Sequence, residues 1–219
     1  MRRKKLCFIL IVFIFLFFTT AATSLARDDW QNWDVLSFKK NINEKMYLKL
    51  SLHNRIRDDM SEYFFGGIQI GPAFKINKYL EISPSYFFIK NKNKGHFDQE
   101  NRWLLDINLK WEVSNFKIIH RNRIEYRDLP SLNRWRYRDN IKIGLPVKCR
   151  NLSLMPYLSE EIFYEERKDE WNQNRFSVGV SMDITRSINF DIYYLLRSDR
   201  SGADWDESNV LGTTLTYSF

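Results

Sequence analysis

The chain has 219 residues, of which 44% are hydrophobic and 28% charged, with two cysteines and a formal net charge of +7. Removing residues 1–26 takes away Arg2, Arg3, Lys4 and Lys5 and no acid, so about 193 residues remain with a charge of about +3, and a nucleic-acid reading built on the high pI is excluded. One thiol, Cys149, then remains; it can form no internal disulfide, no Cys/His cluster has metal-ligand spacing, and no cofactor is expected.

The four basic residues open a segment built like an export signal. Leu6 to Phe18 is an unbroken apolar run of about 13 residues, and Ser24-Leu25-Ala26 offers a small-residue cleavage site. A membrane-spanning helix needs roughly 20 apolar residues, so an anchor is the weaker reading. Cys7 stands at the head of the apolar run and has no small residues ahead of it, unlike a lipoprotein attachment site. Residues 1–26 are therefore expected to be a cleaved signal peptide, and 27–219 a single domain.

The rest reads as alternating strands of about 10 to 14 residues, with no helical period of comparable length. Trp103, Leu105, Ile107, Leu109, Trp111 and Val113 oppose Arg102, Asp106, Asn108, Lys110 and Glu112. Phe176, Val178, Val180, Met182 and Ile184 oppose Arg175, Ser177, Gly179, Ser181 and Asp183. Phe190, Ile192, Tyr194 and Leu196 oppose Asn189, Asp191, Tyr193 and Arg197. At the C-terminus Leu211, Thr213, Leu215, Tyr217 and Phe219 share one face, and the chain stops on that phenylalanine. Such a tail resembles the last strand of bacterial outer-membrane barrels, which the assembly machinery reads.

Short connections are expected near residues 77–78, 114–115, 149–151 and 185–187. Longer polar ones are expected near 58–62, 91–100, 129–133, 168–172 and 199–207. Short turns on one side and long loops on the other fit the periplasmic and extracellular sides of an outer-membrane barrel. Trp30, Trp33, Tyr63, Phe64, Trp103, Trp135, Trp171 and Tyr217 fall near strand ends, as aromatic girdles would. The apolar faces carry too many large rings to fit inside a small barrel, so they are expected to face lipid. The fold class is thus all-β: an antiparallel transmembrane β-barrel in the outer membrane of a Gram-negative bacterium. Counting finds eleven candidate strands. Bacterial single-chain barrels have even numbers, so ten or twelve are expected, with twelve favoured and Trp30–Lys40 left over in a ten-strand count.

The hairpin His120–Val147 concentrates the charge. Arg121, Arg123, Glu125 and Arg127 share one face of its first strand, and Arg134, Arg136 and Arg138 one face of its second. A loop centred near Pro130-Ser131 sets Arg127 opposite Arg134, Glu125 opposite Arg136 and Arg123 opposite Arg138. Like charges directly opposite destabilise a sheet, and arginine cannot deprotonate. The ladder therefore needs carboxylates, water or an anionic ligand. Glu125 and Glu161 are the leading acids, with Glu112, Asp106, Asp183 and Asp191 as further candidates; the pattern does not decide whether Glu160 or Glu161 faces inward. Two roles follow: an interlocking network that fills a narrow lumen, or an anion track, since guanidinium binds carboxylate and phosphate bidentately.

Catalytic signals are weak. No G-x-S-x-G, H-E-x-x-H or phosphate-binding glycine loop is present. His53 shares a face with Arg55 and Arg57, His96 falls in an expected loop with Asp98 and Glu100, and His120 shares the apolar face with Asn122 but with no motif-placed serine. Asn151-Leu152-Ser153 matches a glycosylation sequon without meaning in a bacterial outer membrane.

An opening Trp30-x-x-Trp33, Arg55-Ile56-Arg57, the run Arg121-Asn122-Arg123-Ile124-Glu125-Tyr126-Arg127, Arg134-Trp135-Arg136-Tyr137-Arg138, Pro156-Tyr157 with Glu161-Ile162-Phe163, and Arg175 before Gly179 follow in order. This pattern resembles the bacterial family known as domain of unknown function 2490. The resemblance implies an outer-membrane barrel over nearly all of the chain after residue 26, and carries no activity with it. The candidate lumenal set is Arg121, Arg123, Glu125, Arg127, Arg134, Arg136, Arg138, Glu161 and Arg175. The expected function is a structural or narrow solute-passage barrel, not an enzyme. The alternatives are an anion- or acidic-oligosaccharide-selective channel and, behind it, an outer-membrane lipid hydrolase. Expected partners are outer-membrane lipid, the barrel-assembly machinery through Phe219, and small anionic solutes, with no nucleic acid.

Overall fold

The computed structural model describes residues 29–219 apart from 131, 150 and 151; the expected signal peptide and the Asn151 sequon lie outside the described residues. Strand follows strand: β1 (Asp29–Asn41), β2 (Met46–Arg57), β3 (Glu62–Lys75), β4 (Leu80–Asn93), β5 (His96–Val113) and β6 (Phe116–Leu129). Then come β7 (Leu132–Gly144), β8 (Val147–Cys149), β9 (Leu152–Glu165), β10 (Glu170–Asp183), β11 (Ile188–Ser201) and β12 (Asp204–Ser218). A single 3-10 turn, Glu166–Lys168, joins β9 to β10.

Each strand pairs antiparallel with its neighbour in sequence, and β7 and β8 act as one stave. Pro146 has no N–H to give the ladder, so the stave is interrupted there. Leu145 N–H still donates to the Pro156 carbonyl at 2.9 Å, and β8 resumes pairing with β9. The sheet closes where β12 meets β1 in parallel, from Asp29 beside Ser208 to Lys39 beside Ser218.

The described residues thus form a closed barrel of eleven staves, not the ten or twelve expected. When strands alternate in direction, an odd number brings the first and last together pointing the same way, so one parallel pair is unavoidable. The segment Trp30–Lys40, left over in the ten-strand count, is the closing stave. Phe219 N–H donates to the Lys39 carbonyl at 3.0 Å and the Phe219 carbonyl accepts from Asn41 N–H at 2.9 Å, so the last residue pins this seam with its ring exposed.

The expected contrast of long and short connections is also corrected. The polar segments 91–100, 129–133 and 199–207 are hairpin ends, not long loops. Lys94 (φ 47°) and Gly95 (φ 87°) form a tight primed turn, and Gly202 (φ 67°) takes the next such hairpin round. Polar residues continue the strands past the apolar belt at this end, and β5 reaches 18 residues.

Side chains alternate between the two surfaces of the wall except at bulges, as where the consecutive Phe64 and Phe65 are both buried. Outside, Leu48, Leu52, Ile68, Ile70, Leu105, Ile124, Ile141, Ile143, Leu158 and Leu215 are all exposed. Trp103, Trp135, Trp171 and Trp205 are exposed toward the hairpin end, and Tyr79, Phe116, Tyr217 and Phe219 toward the other. Inside lie charged groups and a second set of rings. Trp33 and Phe64, expected in a girdle, are instead buried, as are Phe65, Phe87, Tyr157 and Phe163. Eleven staves leave more interior than a minimal barrel, and small wall residues make further room. A Cβ on Gly212 would meet the Tyr193 ring at 2.0 Å and one on Gly179 the Tyr157 ring at 2.6 Å, so both rings lie against bare backbone.

Candidate functional site

The charged ladder lies on the inner wall from β5 to β10. Its central register sets Arg127 beside Arg134, Glu125 beside Arg136 and Arg123 beside Arg138, as expected from a loop centred at residues 130–131. The consequence is a network rather than a row of bare charges. Glu125 is fully buried and accepts from Arg136 Nε at 2.7 Å and Arg138 Nη1 at 2.8 Å, with Arg123 Nη1 at 3.7 Å. Asp106, on β5, takes Arg123 bidentately at 2.5 and 2.7 Å.

Glu161 faces inward, and Glu160 outward, where it accepts from Asn174. Glu161 gathers Arg138 at 2.7 and 2.8 Å and Arg121 at 2.5 Å, with Arg175 Nη1 farther away at 3.6 Å. Arg134 pairs with Glu165 on β9. Of the other candidate acids, Asp191 is inward and accepts from Tyr157 Oη at 2.6 Å, whereas Glu112 and Asp183 are exposed at the short-turn end.

Two partners escaped sequence reasoning. Glu100, assigned to a loop, is a buried inward residue of β5 that accepts from Arg102 at 2.6 and 2.8 Å and from Arg127 at 2.6 and 3.2 Å. Glu165 lies where β9 approaches its own turn. The period-two alternation of β5 continues unbroken through Glu100, Arg102, Leu104 and Asp106, and that signal would have found Glu100. His96 and Asp98 are exposed on the hairpin end of β5, so they form no cluster with Glu100.

Across the lumen the charge is not matched. Arg55 on β2 makes no hydrogen bond or ion pair with any described residue. Its guanidinium lies 3.8 Å from the centroid of the Trp33 ring and 4.3 Å from that of Phe65. Arg175 lies over the same Trp33 ring at 4.9 Å and over Phe163 at 4.5 Å. Lys49, also on β2, projects into the lumen with no ion pair, and the buried His53 Nε2 has no partner among the described residues. Both walls border one cavity of about 750 Å³.

A third polar group sits on the outer surface, among exposed isoleucines. His120 Nε2 lies 2.9 and 3.0 Å from the two Asp139 oxygens, and Tyr137 Oη donates to Asn122 Oδ1 and, at 3.1 Å, to Asp139 Oδ2. Among the described residues no serine is hydrogen-bonded to them.

The family model described as Protein of unknown function (DUF2490) matches residues 30–208, a span that holds every ladder residue and reaches into the last stave. Comparison with curated proteins found no match. Among solved structures, LpxR from Salmonella typhimurium is similar in fold, with a TM-score of 0.50 over 79% of this chain and 83% of that one, at 6% identity. That likeness concerns the barrel alone. With the family model running from the first stave into the last, the chain belongs to the DUF2490 family.

Proposed function

We propose that this protein is a barrel of the bacterial outer membrane whose lumen is closed by its own arginine–carboxylate network, serving a structural role rather than open diffusion, and that it is not an enzyme. One observation carries the closure: every ladder arginine from Arg121 to Arg138 has a carboxylate within ion-pair distance, across the width of four adjacent staves, β5, β6, β7 and β9. Arg123, Arg127, Arg136 and Arg138 are each held at two or more points, so these four cannot swing aside on the loss of one contact.

The membrane reading is supported by the exposed apolar outer face between two aromatic belts, the charged interior and the absence of open sheet edges in a closed barrel. In this reading the export segment delivers the chain, the exposed Phe219 ring presents the assembly signal, and outer-membrane lipid surrounds the wall. Narrow passage of small anions is the specific variant, because the unmatched wall opposite the network is cationic.

The test is the triple variant R123A/R136A/R138A, refolded and inserted in planar bilayers. It should either conduct where the parent does not or lose folding stability. A triple variant that folds as well as the parent and stays silent would sink the closed-lumen reading.

Lipid hydrolysis at the outer surface is a second reading, favoured by one observation. A hydrogen-bonded His120–Asp139 pair facing hydrocarbon is an uncommon use of ionisable groups, and such residues often mark function. It predicts release of fatty acid from phospholipid micelles by the refolded chain, abolished in His120→Ala. No release by the parent chain eliminates it.

A further inference from the structure

We propose that Arg55 and Arg175, gathered on the Trp33 indole, form a binding subsite inside the barrel for a small oxyanion, a phosphorylated or carboxylated solute. The inference requires the closed barrel but not its silence in bilayers, so it stands or falls separately from the reading above.

The argument begins with a charge count along the wall. Eight arginines (102, 121, 123, 127, 134, 136, 138 and 175) share five carboxylates, Glu100, Asp106, Glu125, Glu161 and Glu165. The shortfall is not spread evenly. Arg123, Arg136 and Arg138 each hold a carboxylate at 2.8 Å or less. Arg175 reaches only Glu161, at 3.6 Å, and Glu161 is already engaged by Arg121 and Arg138. Arg55 stands outside the network altogether.

Two guanidinium groups over one ring repel one another, and neither can lose its proton. Aromatic faces offset part of that cost, and stacking orients the planar fork while leaving its N–H edge free. An oriented fork with free donors is the arrangement that accepts a planar or tetrahedral oxyanion bidentately. His53, two residues before Arg55 on the same inward face of β2, adds one more unpartnered polar atom. The shared cavity of about 750 Å³ limits the guest to a small solute. A lipid in the surrounding bilayer cannot reach the site through the wall, so a free solute is the occupant.

Isothermal titration of the refolded chain in detergent, with inorganic phosphate or succinate at constant ionic strength, is the test. Binding of at least one is expected, weakened about tenfold or more in Arg55→Met and in Arg175→Met, as loss of a charge-assisted contact requires. Methionine keeps the packing against Trp33, and melting curves of each variant verify folding. Arg186→Met, in the exposed turn between β10 and β11, should bind like the parent. If neither anion binds the parent, or if binding is undiminished in folded Arg55→Met and Arg175→Met, the subsite does not exist.

Discussion

The wall from β5 to β9 and the wall formed by β1 and β2 use the same guanidinium group for opposite purposes. On the first, alternation places carboxylates among arginines, and register brings them within 3 Å, so the charge is spent internally. On the second, aromatic rings occupy the positions that acids hold opposite, and Arg55 is stacked instead of paired. Whether an arginine is structural or receptive is decided here by its neighbours across the sheet, not by its burial.

Removing the keystone acid should give the largest effect. Glu125→Ala leaves three buried guanidinium groups around an empty centre, and losing one side of a buried ion-pair cluster costs about 3–5 kcal/mol. Thermal unfolding in detergent should show it as a strongly lowered midpoint. An unchanged midpoint would mean that water screens the paired wall and that the contrast between the walls is illusory.

A middling effect is expected beside the second wall, where β11 and β12 pack most tightly. Gly212→Val forces Tyr193 from its place against the backbone, an overpacking that costs about 1–3 kcal/mol. The same unfolding measurement checks it, and a neutral result would show that the ring has another resting position.

The smallest effect sharpens the comparison most. Arg55→Met should change stability by less than about 1 kcal/mol, because no ion pair is lost and a like-charge repulsion is relieved. Arg138→Met, by contrast, releases both Glu125 and Glu161 and should be clearly destabilising. Equal losses from the two would contradict the division into a paired and a bare wall.

Much of this was legible in sequence. Alternation on both strands, with the connection centred near residues 130–131, puts Glu125 opposite Arg136, and the structure has that register. The number eleven was also legible, but an even-number rule for bacterial barrels displaced it. Segments 91–100 and 199–207 were misread because polar residues in a strand that extends past the apolar belt carry no hydrophobic period. The Arg55–Trp33–Arg175 group was illegible in principle. Its members lie on β2, β1 and β10, and only closure of the barrel through the parallel β1–β12 pair brings them together. Glu161 was ambiguous beside Glu160 until the pairing of β9 with β7 set the phase of the strand.

The most direct test of the closed lumen is single-channel recording on the refolded chain lacking residues 1–26, in planar bilayers under a salt gradient. Insertion without current steps is the predicted result. Discrete, anion-selective steps from the unmodified chain would contradict it, and would make the arginine wall the lining of an open pore.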